Sequence, residues 1–160
     1  MTPVFLGLGS NIDPALHLPR GLAELEALLG PLQRSATYEG AAIGFRGDPF
    51  WNLVVAASTQ LGVGELQAAI REIEYRHGRA RDATRNSPRT LDIDILTFGD
   101  AVGEIDGVQL PRGEILEHAF VLRPLAELAP AARHPQLGIA YAELWAVFNQ
   151  DAQPLRPVTL

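Results

Sequence analysis

The chain has 160 residues, of which 47% are hydrophobic and 20% charged, a composition typical of a globular protein with a proper core. Its formal net charge of −6 argues against a nucleic-acid partner, and the absence of cysteine excludes disulfides and thiolate metal sites. No apolar run is long enough to cross a membrane, and no basic segment followed by an apolar one opens the sequence. We therefore expect one domain over residues 1–160, monomeric and cytoplasmic, with no membrane partner.

The first half of the chain predicts a strand, a helix, a second strand, a loop and a third strand. Leucines recur at helical spacing from Leu18 to Leu29, and Gly30 followed by proline ends that helix. The first strand contains Gly7-Leu8-Gly9, but Ile12 stands where a dinucleotide-binding motif needs its third glycine, so we interpret these glycines as structural. The strands are expected at residues 4–9, 32–38 and 50–57, and the glycine-rich loop at residues 39–49.

The second half predicts a helix, an arginine-rich loop, a strand and a mainly helical C-terminal region. An apolar stripe from Leu66 to Ile73 predicts a helix that ends near His77. The order of strand, helix, strand, strand, helix and strand is that of a split βαβ, ferredoxin-like α+β unit. Further elements are expected as short edge strands between turns at residues 99–100 and 106–107, helices within residues 114–131 and 140–148, and a last edge strand within residues 153–160.

Two aspartates on one predicted strand are the strongest functional signal in the sequence. Leu91, Ile93 and Ile95 alternate with Asp92 and Asp94, so the two carboxylates share one face, about 7 Å apart along the strand. Ionised carboxylates are costly to bury unpaired, and a divalent ion such as Mg²⁺, shared with substrate phosphates, would compensate them. The alternative is a strand whose polar face is simply solvated.

The basic residues point to an anionic ligand. All thirteen are arginine, which excludes a Walker-type phosphate loop because that loop requires lysine. Five of them lie between positions 76 and 89, and such a cluster in an acidic protein suggests a small ligand such as a nucleotide. The surrounding residues 77–88 either close as a lid over phosphate oxygens or form an ordinary solvated loop. Arg89 would place a bidentate guanidinium beside the expected metal.

An aromatic ring and an amide lie together on the predicted third strand. Phe50 and Asn52 share one face, with Trp51 opposite. A flat ring can stack on a heterocycle, and a side-chain amide can donate and accept hydrogen bonds along its edge. The alternative is that Phe50, like Phe120 further along the chain, is an ordinary core residue. The pairing favours a heterocycle site, because a buried asparagine needs hydrogen-bond partners.

Residues 88–95, Pro-Arg-Thr-Leu-Asp-Ile-Asp-Ile, resemble the signature of the 6-hydroxymethyl-7,8-dihydropterin pyrophosphokinases of folate synthesis, and the resemblance extends along the whole chain. It implies an antiparallel sheet flanked by helices, and transfer of a diphosphate group from ATP to the hydroxymethyl group of the pterin, with release of AMP. Asp92 and Asp94 would hold Mg²⁺, with two ions bridging the phosphates. The expected partners are therefore two small molecules, ATP and a reduced pterin.

The resemblance also implies roles for individual residues. Those expected in catalysis are Arg79, Arg89, Asp92 and Asp94. The ATP site is expected at Glu74, Arg79, Arg81, Arg85, Arg89, Arg112 and His118. The pterin site is expected at Ile43, Gly44, Phe50, Asn52 and Phe120.

Several positions depart from the family pattern. Asn86 stands where the family often has tryptophan, and residues 40–42, Gly-Ala-Ala, replace a segment that usually carries threonine and proline. Arg112 and His118 stand where the family has histidine and arginine; either Arg112 supplies the permanent charge on the ATP phosphates and His118 a conditional one, or both are surface residues. Two alternatives stay open: a paralogue acting on another hydroxylated heterocycle, and a ferredoxin-like module that binds a nucleotide without catalysis.

Overall fold

A computed structural model of the chain describes residues 1–79 and 90–160. The strands of this part are β1 (Thr2–Ser10), β2 (Gln33–Arg34), β3 (Thr37–Gly40), β4 (Phe50–Thr59), β5 (Asp92–Phe98), β6 (Gly103–Ile105), β7 (Val108–Leu110) and β8 (Arg156–Val158). The helices are α1 (Pro14–Leu29), α2 (Val63–Arg76), α3 (Glu114–Glu117), α4 (Ala119–Leu128) and α5 (Tyr141–Ala146). Among the described residues, no helix is long and apolar enough to cross a membrane.

The main sheet has six strands, in the order β5-β1-β4-β3-β8, with β2 also paired to β4. All of its pairings are antiparallel, and β1 lies between β4 and β5 over most of its length. The neighbours β5, β1, β4 and β3 follow the strand order of the ferredoxin-like unit. The predicted α+β fold, with an antiparallel sheet flanked by helices, is therefore confirmed, and β8 is the expected last edge strand.

The two faces of the sheet pack against different helices. Val55 and Ile95 belong to a buried cluster with the apolar stripes of α1 and α2. Their chain neighbours Val54 and Leu96 point to the opposite face and pack against α4 and α5, because successive strand residues alternate between faces. Near Asp92 this second face is polar instead of apolar, and here the candidate site lies.

The structure corrects three expectations about element boundaries. The predicted strand at residues 32–38 is two short strands, because the Ser35 hydroxyl accepts the backbone N–H of Val54 at 2.9 Å and interrupts the regular ladder. Glu39 and Gly40, expected in the loop, belong to β3, where the Glu39 carboxylate accepts a hydrogen bond from the Trp51 indole at 2.9 Å. Strands β6 and β7 form a separate two-stranded sheet instead of an edge of the main sheet.

Candidate active site

The aspartates of β5 share one face of the sheet, as the alternation predicts. The apolar residues that alternate with them, Leu91, Ile93 and Ile95, are buried on the other face, whereas the Asp92 and Asp94 side chains are 34% and 18% exposed. On the neighbouring β1, Gly9 pairs in register with Asp92, and Gly7 with Asp94. Because glycine has no side chain, β1 places no side chain on this face beside either carboxylate.

A cavity of about 530 Å³ opens over these three strands and brings together most of the predicted site. Of the residues expected in the ATP and metal site, its walls contain Arg79, Asp92, Asp94, Arg112 and His118. Of those expected in the pterin site, they contain Ile43, Phe50, Asn52 and Phe120. The two halves of the predicted site are therefore parts of one cavity.

Some predicted residues lie elsewhere. Gly44, with φ of 84°, turns the loop beside Ile43 but does not line the cavity. Glu74 lies behind the cavity wall. The expected roles of Arg81, Arg85, Arg89 and Asn86 fall outside the described residues and stay predictions.

Asn52 is a buried amide that faces the cavity. It is 8% exposed, and its Nδ2 has no hydrogen-bond partner among the described residues. Gly9 pairs with it across the sheet, and a Cβ at Gly9 would lie 2.5 Å from Asn52 Oδ1. The position of the amide therefore depends on the neighbouring glycine. A buried donor without a partner is one that a ligand in the cavity can satisfy.

Aromatic rings form part of the cavity wall. Phe50 contacts Phe45 edge to face, with ring centroids 6.2 Å apart. Phe120 stacks on the His118 imidazole at 4.9 Å, with 12° between the ring planes. His118 is thus held against an aromatic ring, and its expected contact with phosphate stays a prediction.

Glu74 is fully buried on α2, against β5. Its carboxylate accepts hydrogen bonds from Arg71 at 2.6 Å and from the Ile93 backbone N–H at 2.8 Å, and it lies 3.6 Å from Arg79. Burial raises the pKa of Glu74, while the Ile93 hydrogen bond and the Arg71 charge oppose that shift. In this structure Glu74 positions two arginines of the cavity wall, and direct contact with ATP stays a prediction.

Arg112 follows β7 and lies beside the acids of β5. Its guanidinium is 2.8 Å from Glu114 and 3.6 Å from Asp94. Burial and the Asp92 charge raise the pKa of Asp94 well above its usual range, and the Arg112 charge opposes that shift. Arginines, rather than solvent alone, therefore compensate the acids of the site.

The acid pair fits a divalent metal that is shared with a substrate. Asp92 and Asp94 supply carboxylate oxygens, the ligands that Mg²⁺ prefers. Within residues 1–79 and 90–160, no group of three or more histidine and acidic side chains is arranged to hold a metal by itself. Two acids at the wall of this cavity suit an ion that completes its coordination with water and phosphate oxygens. The high cost of ionising Asp94 alone also favours a cation there.

Among the lining residues that were not predicted, Arg71, Gly7 and Gly9 bear most directly on binding. Arg71 adds a cation to the cavity wall. Gly7 and Gly9, which we interpreted from the sequence as structural, also line the cavity. The period-two spacing of the two glycines is a signal that could have found them, because glycine in a strand often marks a close approach by a ligand or another group. Nothing in the sequence alone distinguishes Arg71 from the other helical arginines.

Sequence comparison identifies the family. A sequence model of 7,8-dihydro-6-hydroxymethylpterin-pyrophosphokinase (HPPK) matches residues 5–130. The chain belongs to the HPPK family. The 2-amino-4-hydroxy-6-hydroxymethyldihydropteridine pyrophosphokinase of Pseudomonas aeruginosa is 38% identical over 138 residues, which cover 82% of this chain and 83% of that protein. The protein of the same name from Aquifex aeolicus is 34% identical over 137 residues, which cover 84% of this chain and 85% of that protein.

Solved HPPK structures share the fold. The structure of Plasmodium falciparum HPPK-DHPS matches 91% of this chain with a TM-score of 0.73 at 15% sequence identity. The chain spans 43% of that larger protein chain. The HPPK match at residues 5–130 contains every residue predicted for the site, from Ile43 to Phe120.

Proposed function

We propose that this HPPK-family protein transfers the diphosphate group of ATP to the hydroxymethyl group of 6-hydroxymethyl-7,8-dihydropterin, releasing AMP, in folate biosynthesis. The observation that carries the proposal is one cavity that holds the acid pair Asp92 and Asp94 together with Asn52, whose amide has no partner among the described residues. The pyrophosphokinase relatives at 38% and 34% identity support it. The protein would act as a monomeric single domain in the cytoplasm, with these two small molecules as partners.

The pterin would bind at the β4 side of the cavity. Asn52 Nδ2 would donate to an acceptor on the edge of the heterocycle, and the rings of Phe50 and Phe120 offer surfaces for stacking. A ring without a matching acceptor would leave the buried amide unpaired, which costs binding energy. Asn52 would therefore contribute to specificity as well as to affinity.

The ATP phosphates would bind at the β5 side. Asp92 and Asp94 would hold Mg²⁺, and we propose two ions. Bound there, Mg²⁺ would neutralise phosphate oxygens and help to orient the β-phosphorus toward the pterin hydroxyl. Arginine side chains would bind phosphate oxygens and stabilise the charge that develops on the departing AMP. These are Arg79 and Arg112 of the cavity wall and, outside the described residues, Arg81, Arg85 and Arg89.

An AMP-release assay tests the proposal. With ATP, Mg²⁺ and 6-hydroxymethyl-7,8-dihydropterin, the protein should form AMP and pterin diphosphate in equal amounts. The matched control is 6-methyl-7,8-dihydropterin, which lacks the acceptor hydroxyl and should give no AMP above background. AMP release that requires another hydroxylated heterocycle would favour the paralogue. ATP binding without AMP release from any acceptor would favour the binding module.

Asn52→Ala should weaken pterin binding by about five- to thirtyfold, because it removes a buried hydrogen-bond donor worth roughly 1–2 kcal/mol. ATP should bind within about twofold of its parental affinity, since effects at separate parts of a site are nearly independent. Calorimetric titration of the same variant with each ligand measures both. A larger loss for ATP than for the pterin would place the pterin site elsewhere.

Gly9→Ala should impair pterin binding more than Gly7→Ala. A Cβ at Gly9 would lie 2.5 Å from Asn52 Oδ1 and displace the amide, whereas a Cβ at Gly7 meets the Leu96 side chain at an ordinary 3.5 Å. Pterin affinity should fall about fivefold or more for Gly9→Ala and less than about twofold for Gly7→Ala. Both positions line the same strand face, so equal losses would indicate narrowing of the cavity instead of displacement of Asn52.

A further inference from the structure

Arg112 has contacts that the proposed function does not explain. Its backbone N–H donates to the Leu96 carbonyl at 2.9 Å, which fixes the base of the side chain beside β5. Its guanidinium lies 3.6 Å from Asp94 and 2.8 Å from Glu114. Its Nε–H is buried without a hydrogen-bond partner among the described residues. One of the two aspartates proposed to hold Mg²⁺ therefore already faces a cation.

The second aspartate has a similar neighbour. Arg79 lies 3.7 Å from Asp92 and 3.6 Å from the buried Glu74. Each of the two arginines is thus shared between an aspartate of β5 and a glutamate on another element. An arginine that leaves its aspartate still has an acid nearby, so exchanging partners does not strand a buried charge.

We propose that Arg112 is the counter-ion of Asp94 in the substrate-free protein and that it makes divalent-metal binding depend on a polyphosphate ligand. The inference rests on the proposed function and adds the order in which the parts of its site assemble. A metal ion that binds Asp94 without phosphate would lie close to the Arg112 guanidinium. In a partly buried site these like charges repel strongly.

Phosphate oxygens change this balance. They offer the Arg112 guanidinium a bidentate partner and an acceptor for its Nε–H, which has none within residues 1–79 and 90–160, and this frees Asp94 for the cation that arrives with them. Metal and polyphosphate should therefore strengthen each other's binding, and by the same factor from either side. A neutral residue at position 112 would remove this coupling.

Calorimetric titration with Mn²⁺ alone tests the counter-ion role. Arg112→Gln should bind Mn²⁺ about fivefold or more tightly than the parent, at the low end of typical coupling between sites. Arg112→Lys keeps the positive charge and should stay as weak as the parent. Arg34→Gln should change nothing, because Arg34 also pairs with a carboxylate, Glu26 at 4.0 Å, but lies outside the cavity.

A second set of titrations measures the coupling between metal and nucleotide. It uses α,β-methylene-ATP, an analogue from which the diphosphate group cannot be transferred. Mn²⁺ should tighten analogue binding to the parent by about tenfold or more, and Arg112→Gln should reduce this factor about fivefold. Equal Mn²⁺ affinity in the parent and Arg112→Gln, or an unchanged coupling factor, would overturn the inference. Circular dichroism checks folding, and Arg112→Met, which is also neutral and of similar length, replaces Arg112→Gln if that variant does not fold.

The two proposals fail in different ways. If the parent shows no pterin turnover but Arg112→Gln still binds Mn²⁺ more tightly than the parent, the proposed function is wrong and the counter-ion role is supported. If the parent releases AMP with the pterin, but the parent and Arg112→Gln bind Mn²⁺ equally tightly, the proposed function is supported and the counter-ion role is wrong.

Discussion

Replacing Asp94 with asparagine should lower turnover by about a thousandfold while the protein stays folded. Asparagine keeps the shape of the side chain but offers no charge to Mg²⁺. Asp94 borders the cavity beside Gly7, so the change removes no packing. AMP release at saturating ATP, pterin and Mg²⁺ measures the effect, and Asp92→Asn should behave alike. The control is Asp100→Asn, an exposed turn position just after β5.

The same variant should not lose stability. Burial and the Asp92 charge raise the pKa of Asp94, so this carboxyl ionises less readily in the folded protein than in the unfolded chain. The stability that such a group contributes is present at low pH and is lost as the pH rises through the folded pKa. Asp94→Asn avoids that loss. Without metal, Asp94→Asn should melt at or above the parental temperature at pH 7. The difference in melting temperature should become smaller as the pH is lowered toward the ordinary carboxyl pKa, near pH ~4.

Two results would contradict this account of Asp94. Near-parental turnover of Asp94→Asn at saturating Mg²⁺ would show that the carboxylate is not needed for metal-dependent transfer. A much lower melting temperature at pH 7, with the parental one kept at low pH, would show that the ionised carboxylate stabilises the fold.

Glu74→Ala should cost roughly 2–4 kcal/mol of unfolding free energy, somewhat below the range for fully buried pairs because the Arg71 side chain is 31% exposed. The change leaves the Arg71 guanidinium and the Ile93 backbone N–H without their buried acceptor, and it removes a neighbour of Arg79. Urea denaturation measures the loss. Glu72→Ala, at an exposed position of the same helix, should stay within about 0.5 kcal/mol of the parent.

Glu74→Gln separates the charge from the hydrogen bond. The amide oxygen can still accept from Ile93, so this variant should lose less stability than Glu74→Ala. Because burial raises the pKa of Glu74, the parent loses part of its stability as the pH rises through the folded pKa, and the glutamine variant does not. The parent's advantage over Glu74→Gln should therefore narrow with rising pH above the ordinary carboxyl range. An advantage that widens would mean that the arginines outweigh the cost of burial.

The sequence predicts the parts of the site that depend on local periodicity. The alternation around Asp92 and Asp94 fixes which side of β5 is polar, whatever the strand pairs with, and the structure confirms it. The spacing of Phe50 and Asn52 likewise assigns both side chains to one face of β4. The fold class follows from the order of the elements, because that order is compatible with few sheet topologies.

Other features depend on contacts across the fold and could not be read from the chain. Ser35 divides a predicted strand because its hydroxyl meets Val54 on another strand. Gly9 matters because Asn52 lies across from it, a relation set by register and not by sequence spacing. Glu74 follows Leu66 and Ile70 at helical spacing on the buried side of α2, but its backbone partner Ile93 lies on β5, so its role depends on how the helix packs there.

The position of β1 between β4 and β5 sets the distance between the two chemical ends of the site. Gly9 pairs with Asn52 on one side and with Asp92 on the other, so the amide and the acid are attached two strand spacings apart, about 9–10 Å. Backbone hydrogen bonds fix this length, and a slip of one residue would turn these side chains to the wrong face. Core substitutions beneath the sheet should therefore lower the melting temperature without much change in the spacing between Asn52 and Asp92.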